Sequence, residues 1–315
     1  MIRKAPEGPV FPAREDLGSV GGRLGVGTAL FGAVNGDDAE AQVAAIVRTA
    51  LERGVRYFDT APLYCCGDSE SRLGAALASH DRSGVVVSTK VGYVVGDDNV
   101  SITRDFSRDG VLSSLDASLE RLRTDYVDIV YIHDPDHHAT EALGSAYDTL
   151  DDLRRQGVVR AIGVGINQTE LATRFVRETD IDLVLLAGRY TLLDRSATQE
   201  LLPACQDRGV SVVAAGVFNS GVLATGKASS TYDYRRPDDA IMARVALMKS
   251  VCDRYGVPLR AGALQFPGRH PAAVATLVGV VSVAELTDDL DMAGMRIPGE
   301  LWDELDALDA DGAWK

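Results

Sequence analysis

The chain of 315 residues is 46% apolar and 25% charged, which is enough to bury a large core and excludes a disordered or fibrous chain. Its 46 Asp plus Glu outnumber 32 Lys plus Arg, and the formal net charge of -14, with no local basic patch, argues against nucleic acid or an anionic membrane surface as partner. No stretch has a signal peptide's build or the roughly 20 apolar residues of a membrane span, and Cys65, Cys66, Cys205 and Cys252 lack CxxC spacing, so a cytoplasmic protein with reduced thiols is expected.

In chain order, Arg23 to Thr28 reads as a first strand. A stripe of Val43, Ile46, Val47, Ala50 and Leu51 marks one helix face, with Gly54 as its stop, and Val55 to Asp59 is the second strand. Val85 to Lys90 is the third. Leu112, Leu115, Leu119 and Leu122 form the next helical stripe, followed by a strand from Tyr126 to His133. Val158 to Gly165, Asp182 to Leu186, Gly209 to Ala215 and Val274 to Val278 complete eight strands, with helical segments such as Ala139–Gln156 and Ala197–Arg208 between them. Pro271 to Ala284 reads as a buried strand and turn. Eight βα units in one run predict an α/β fold, a (β/α)8 barrel forming a single domain over residues 1–315. The Gly-, Asp- and Ser-rich intervals Gly92–Arg108 and Gly216–Asp239 follow strands, where barrel enzymes carry functional loops.

A Rossmann fingerprint is absent, because Leu30 and Gln168 stand where Gly25-Val26-Gly27 and Gly163-Val164-Gly165 would need their third glycine. Polar residues instead gather at consecutive strand ends: Asp59 after the second strand with Tyr64 just beyond it, Lys90 after the third, His133 after the fourth. Singly, Asp59 could cap a turn, Lys90 could be a solvated strand end, Tyr64 a wall and His133 structural. Together they form a proton-transfer set. A lysine ammonium lowers the pKa of a nearby phenol, an aspartate holds the ammonium, and a histidine orients the reacting oxygen. The run Asp134 to His138 offers carboxylates and imidazoles, but Pro135 breaks the helix that would align His133 with His137, and no metal is expected.

These residues resemble the aldo-keto reductases, through Gly25-Val26-Gly27-Thr28, Phe58-Asp59-Thr60-Ala61-Pro62-Leu63-Tyr64, Ser88-Thr89-Lys90, Leu119-Glu120-Arg121-Leu122 and Asp125-Tyr126-Val127-Asp128-Ile129. Within that family, Ile132-His133-Asp134-Pro135-Asp136, Ala187-Gly188-Arg189-Tyr190-Thr191-Leu192-Leu193 and Val217-Phe218-Asn219-Ser220-Gly221-Val222-Leu223 look most like the branch of aldose 1-dehydrogenases and pyridoxal 4-dehydrogenase. The resemblance implies a nicotinamide cofactor at the barrel mouth, with Asp59, Tyr64, Lys90 and His133 as the catalytic set. It implies cofactor contacts from Gly27, Thr28, Ala29, Asp59, Asn167, Phe218, Asn219, Ser220, Gly221, Leu223, Gly279, Ser282, Glu285, Asp288 and Asp289. Ala187 stands where many members carry a glutamine for the nicotinamide amide.

The segment Leu277–Leu290 aligns with the family's adenosine site. It carries Glu285, Asp288 and Asp289 and no Lys or Arg, so NAD is expected over NADP as cofactor. The function expected is oxidation of a cyclic hemiacetal, an aldose at its anomeric carbon or pyridoxal, to a lactone, with Tyr64 as general acid/base. The alternatives are an NADPH-dependent aldehyde or ketone reductase, a non-catalytic dinucleotide-binding redox sensor, and a metal-assisted hydrolase. The partner is a small sugar or pyridoxal-like substrate, and the assembly a monomer or homodimer. Trp302 and Trp314 bracket an acidic helix, Gly299 to Leu308, with Trp302 expected to pack on the barrel.

Overall fold

The computed structural model describes residues 4–6, 8, 10, 11, 23–36, 38–96, 98–226, 231–233 and 235–310. Eight parallel strands close on themselves in the order β1 (Leu24–Gly27), β2 (Tyr57–Asp59), β3 (Val86–Val91), β6 (Ile129–His133), β7 (Ala161–Ile166), β8 (Leu183–Ala187), β9 (Ser211–Ala215) and β10 (Ala273–Gly279), with β10 returning to β1. This is the (β/α)8 barrel, each strand within a few residues of its expected place. The expected starts at Tyr126 and Val158 are early because Val127 and Val159 are buried in the approach turns, before the ladders begin at Ile129 and Ala161.

The helices α1 (Ala39–Glu52), α2 (Asp68–Leu77), α3 (Arg108–Leu122), α4 (Tyr147–Arg155), α5 (Thr169–Glu178), α6 (Leu201–Arg208), α7 (Asp239–Arg254), α8 (Leu259–Gln265), α9 (Val283–Ala293) and α10 (Gly299–Ala310) surround the strands. Their apolar faces build the larger core. In α1, Val43, Ile46, Val47 and Ala50 are fully buried, and Gly54, at φ +87°, turns the chain after the helix end. Full burial of side chains of this size stabilises by about 1.5–3 kcal/mol each. The expected helix Ala139–Gln156 widens into a π turn at Ala142–Ala146 before α4, and a 3-10 turn, Ser196–Thr198, precedes α6. The end of the Pro271–Ala284 stretch is helical rather than turn, since Ser282 caps α9 through Glu285 N. Trp302 packs partly buried against the core under the Arg269 guanidinium, and Trp314 lies outside the described residues.

A second cluster fills the barrel interior, led by Tyr57, Ile129, Tyr131, Leu183 and Leu277. Two glycines there have no room for a side chain: a Cβ on Gly25 would stand 2.7 Å from Tyr57, and one on Gly163 would stand 2.1 Å from the Leu183 carbonyl oxygen and 3.0 Å from Tyr131. The interval Gly92–Arg108, expected as loop, contains an antiparallel hairpin, β4 (Tyr93–Val95) with β5 (Ile102–Arg104), in which Tyr93 pairs with Arg104. Among the described residues no helix is long and apolar enough to cross a membrane, and the four cysteines are free.

Candidate active site

The period of two along β3 sends Ser88 and Lys90 into the barrel and Thr89 outward, where its hydroxyl donates to Glu70 of α2 at 2.5 Å. Lys90 is 1% exposed, and its ammonium spends all three protons: on Asp59 Oδ2 at 2.7 Å, the Thr60 carbonyl at 2.8 Å and Tyr64 Oη at 3.0 Å. Tyr64 therefore accepts from Lys90, which leaves its own O–H to donate elsewhere. The His133 ring meets the Tyr64 ring edge-on, centroids 5.8 Å apart. The four residues singled out at strand ends thus form one constellation.

Its electrostatics differ from expectation in one respect. Lys90 pulls the Tyr64 phenol down through charge and hydrogen bond, as anticipated, but burial pushes it up first and Asp59 adds to that, so the net value lies above an ordinary tyrosine's. Burial lowers Lys90, yet Asp59 and Tyr64 raise it further, and the ammonium stays charged. Burial, and then Lys90, hold His133 well below the usual imidazole value, so it is neutral. At rest the site presents a protonated phenol beside a neutral imidazole.

Three residues of this network were missed from sequence. Ser88 Oγ donates to Asp59 Oδ1 at 2.6 Å and lies 3.0 Å from Tyr57 Oη, which is 3.3 Å from Tyr131 Oη. Both oxygens of Asp59 are therefore held, and a continuous polar chain runs from the barrel interior to Tyr64. A serine and two tyrosines on strands read as ordinary sheet residues; only their inward alternation with Lys90, Asp59 and His133, two positions on in their own strands, could have flagged them.

The residues expected to hold a dinucleotide lie along the rim formed by β1, β7, β9 and β10. Gly27 pairs in register with Asp59 and Gly279, bringing these three strand ends together. Thr28 is fully buried with its hydroxyl unpartnered, an orphaned polar atom that fits a bound polar ligand, and Ala29 beside it is exposed. Asn167 is exposed after β7. Phe218, Asn219, Ser220, Gly221 and Leu223 form the turn after β9, where the Asn219 side chain accepts from Thr191 at 2.6 Å and donates to the Gly188 carbonyl at 3.1 Å, and Asn219 N, Gly221 N and Leu223 N donate within the turn, so that the side chain and main chain alike hold its shape.

Ser282 and Glu285 are engaged with each other and the chain: Ser282 Oγ accepts from Glu285 N, and Glu285 accepts from Val281 N at 2.9 Å, a capping box opening α9. The reading that this end lacks basic side chains needs correction. Arg260 of α8 reaches both Asp288, at 2.5 Å, and Asp289, at 2.6 Å, with its guanidinium 5.4 Å over the Phe218 ring. It comes from a different helix and was invisible to a reading of Leu277–Leu290 alone. One cation against Glu285, Asp288 and Asp289 still leaves the locale negative.

On the substrate side, the Tyr93 ring lies 5.4 Å from His133, and Arg104 donates to Tyr93 Oη at 3.3 Å. Asp134, at φ +38°, brings Oδ2 to 3.7 Å from His133 Nε2; burial and then Asp136 push its carboxyl up to about 6. Cys65 and Cys66 follow Tyr64 in consecutive left-handed conformations, φ +49° and +53°. His137 is exposed and His138 stacks on Phe106 at 5.3 Å. Among the described residues no three His, Cys, Asp or Glu side chains gather as metal ligands.

A model of the aldo/keto reductase family matches residues 23–310. The chain is 39% identical to a D-threo-aldose 1-dehydrogenase from a Pseudomonas species, covering 93% of this chain and 96% of that one. It is 34% identical to a pyridoxal 4-dehydrogenase of Microbacterium luteolum, covering 90% and 92%. Among solved structures it resembles a glycerol dehydrogenase of Gluconobacter oxydans with a TM-score of 0.77 over 92% of this chain and 91% of that one, a likeness of fold at 24% identity.

Proposed function

Since this chain belongs to the aldo/keto reductase family of oxidoreductases, which use nicotinamide dinucleotides, we propose that it oxidises the cyclic hemiacetal of an aldose, or of pyridoxal, to the lactone. The observation that carries the reading is the chain Asp59–Lys90–Tyr64, at 2.7 and 3.0 Å, ending on a phenol oxygen beside neutral His133. The nicotinamide, when bound, supplies the hydride acceptor. As the phenolate, whose charge Lys90 stabilises, Tyr64 takes the proton of the anomeric hydroxyl and becomes the phenol, while Asp59 fixes the ammonium and His133 orients the reacting oxygen. In the reverse sense the same phenol donates. Because burial raises Tyr64, the phenolate is the minor form at neutral pH, and oxidation rates climb as pH rises.

NAD is the cofactor we favour. Arg260, which reaches the adenosine end, is already committed to Asp288 and Asp289, and the acidic surroundings disfavour a 2′-phosphate. We take the enzyme as cytoplasmic and residues 1–315 as one barrel domain. The test is dinucleotide reduction, followed by absorbance, with NAD and with NADP against L-fucose, L-galactose, D-arabinose and pyridoxal. Activity with NAD on any of them is the expected result. Silence on all four, with NADPH-dependent reduction of simple aldehydes instead, overturns both the reaction and the cofactor.

A further inference from the structure

We propose that the turn Asp134-Pro135-Asp136, together with Tyr93 and Arg104 of the hairpin, is the wall that recognises the hydroxyls of a polyhydroxylated aldose beside its reacting carbon. This inference rests on the dehydrogenase reading above. The Asp134 carboxylate stands 3.7 Å from His133 Nε2, and no donor among the described residues hydrogen-bonds it. Asp136 Oδ1 is buried and has no partner. His133, only 6% exposed, leaves Nδ1 unpartnered and is held by the rings of Tyr64 and Tyr93, with Nε2 toward Asp134.

An ionised carboxylate only accepts hydrogen bonds, so the partly exposed Asp134, beside His133, and the buried, unpartnered Asp136 Oδ1 offer acceptors suited to a ligand rich in O–H groups. Arg104 adds the complementary function. Its Nε is engaged with Tyr93 Oη, and the rest of its exposed guanidinium can donate to hydroxyl oxygens. Sugar hydroxyls donate and accept at once, and thus satisfy both sides of the wall. An oxygen held at His133 Nε2 lies next to Asp134, so the hydroxyl on the neighbouring carbon falls to that carboxylate. The hemiacetal of pyridoxal bears no hydroxyl on the adjacent carbon, its phenolic O–H standing one ring carbon further out, so it does not make this hydrogen bond, which is the kind of difference that discriminates strongly.

The test compares kcat/KM for L-fucose, 2-deoxy-L-fucose and pyridoxal in the wild type and in Asp134→Asn and Asp136→Asn, with dinucleotide affinity and melting temperature measured on each protein. The wild type should lose about tenfold or more on removal of the 2-hydroxyl, a comparison that needs no variant. Asp134→Asn should lose about tenfold on L-fucose, chiefly through KM, and less than about twofold on 2-deoxy-L-fucose and pyridoxal, with dinucleotide affinity unchanged. Equal loss on all three substrates overturns the wall. So does a wild type that oxidises pyridoxal and no aldose, which leaves the hemiacetal dehydrogenase standing. Silence on aldoses and pyridoxal alike overturns the reading beneath it.

Discussion

The two ends of the barrel bury carboxylates to the same depth and surround them differently. At the N-terminal end of the strands, Asp128 is 1% exposed and saturated: it accepts from Val87 N at 2.9 Å, Arg82 at 3.2 Å and Arg160 at 2.7 Å. Asp182, partly exposed, accepts from Ile162 N and from Arg154, which also binds the buried Asp151. At the C-terminal mouth, Asp59 is equally buried, but around it Thr28, Thr60, His133 and Asp136 keep buried polar atoms without partners. A buried carboxylate therefore says little by itself. At the mouth its neighbours are hydroxyl and imidazole atoms without partners, whereas at the other end two arginines and a main-chain N–H close on Asp128.

That contrast predicts that mouth substitutions act on turnover and bottom substitutions on stability. Tyr64→Phe should lower turnover by about 10²–10⁴-fold with dinucleotide affinity unchanged; a residual rate above about a hundredth of wild type contradicts the acid/base role. Asp128→Asn, which leaves two arginines short of their partner, should cost about 3 kcal/mol in chemical denaturation with kcat retained. Lost turnover at an unchanged denaturation midpoint would break the comparison at its other end. Lys90→Met removes the charge that pulls Tyr64 down, so the basic limb of the pH–rate profile should move to higher pH, and an unmoved limb argues against that coupling.

A smaller effect lies at acid pH. Asp134, raised to about 6, is faced by His133 on β6, Lys90 on β3, Arg104 on β5 and Asp136 in its own turn. As pH falls through about 6 it gains a proton and loses its accepting charge, so KM for an aldose should rise below that pH in the wild type and stay flat in Asp134→Asn. The smallest effect is at Cys66, whose φ of +53° strains any residue with a Cβ. Cys66→Gly should gain about 0.5–1 kcal/mol in stability, read from the denaturation midpoint.

The barrel was legible in the sequence because the β-branched runs and helical stripes repeat, and Asp59, Tyr64, Lys90 and His133 were legible because barrel topology brings consecutive strand ends together. What escaped was nonlocal or short. The strands of the hairpin, Tyr93–Val95 and Ile102–Arg104, are three residues each, too brief to show a period. Arg260 joins Asp288 and Asp289 from another helix, and no local pattern announces it. The net rise of Tyr64 depends on how deeply the fold buries the phenol, which charge counting cannot supply.

The polar chain from Tyr131 through Tyr57 and Ser88 to Asp59 also sets the alkaline limit of the barrel. Burial holds the Tyr57 and Tyr131 phenols well above the usual tyrosine value in the folded protein, whereas in the unfolded chain they ionise near 10. The folded state thus binds those protons more tightly, so stability falls as pH rises beyond about 10. In an optical titration the tyrosinate absorbance of these two residues should arrive with the loss of tertiary structure, making two interior phenols a spectroscopic gauge of barrel closure.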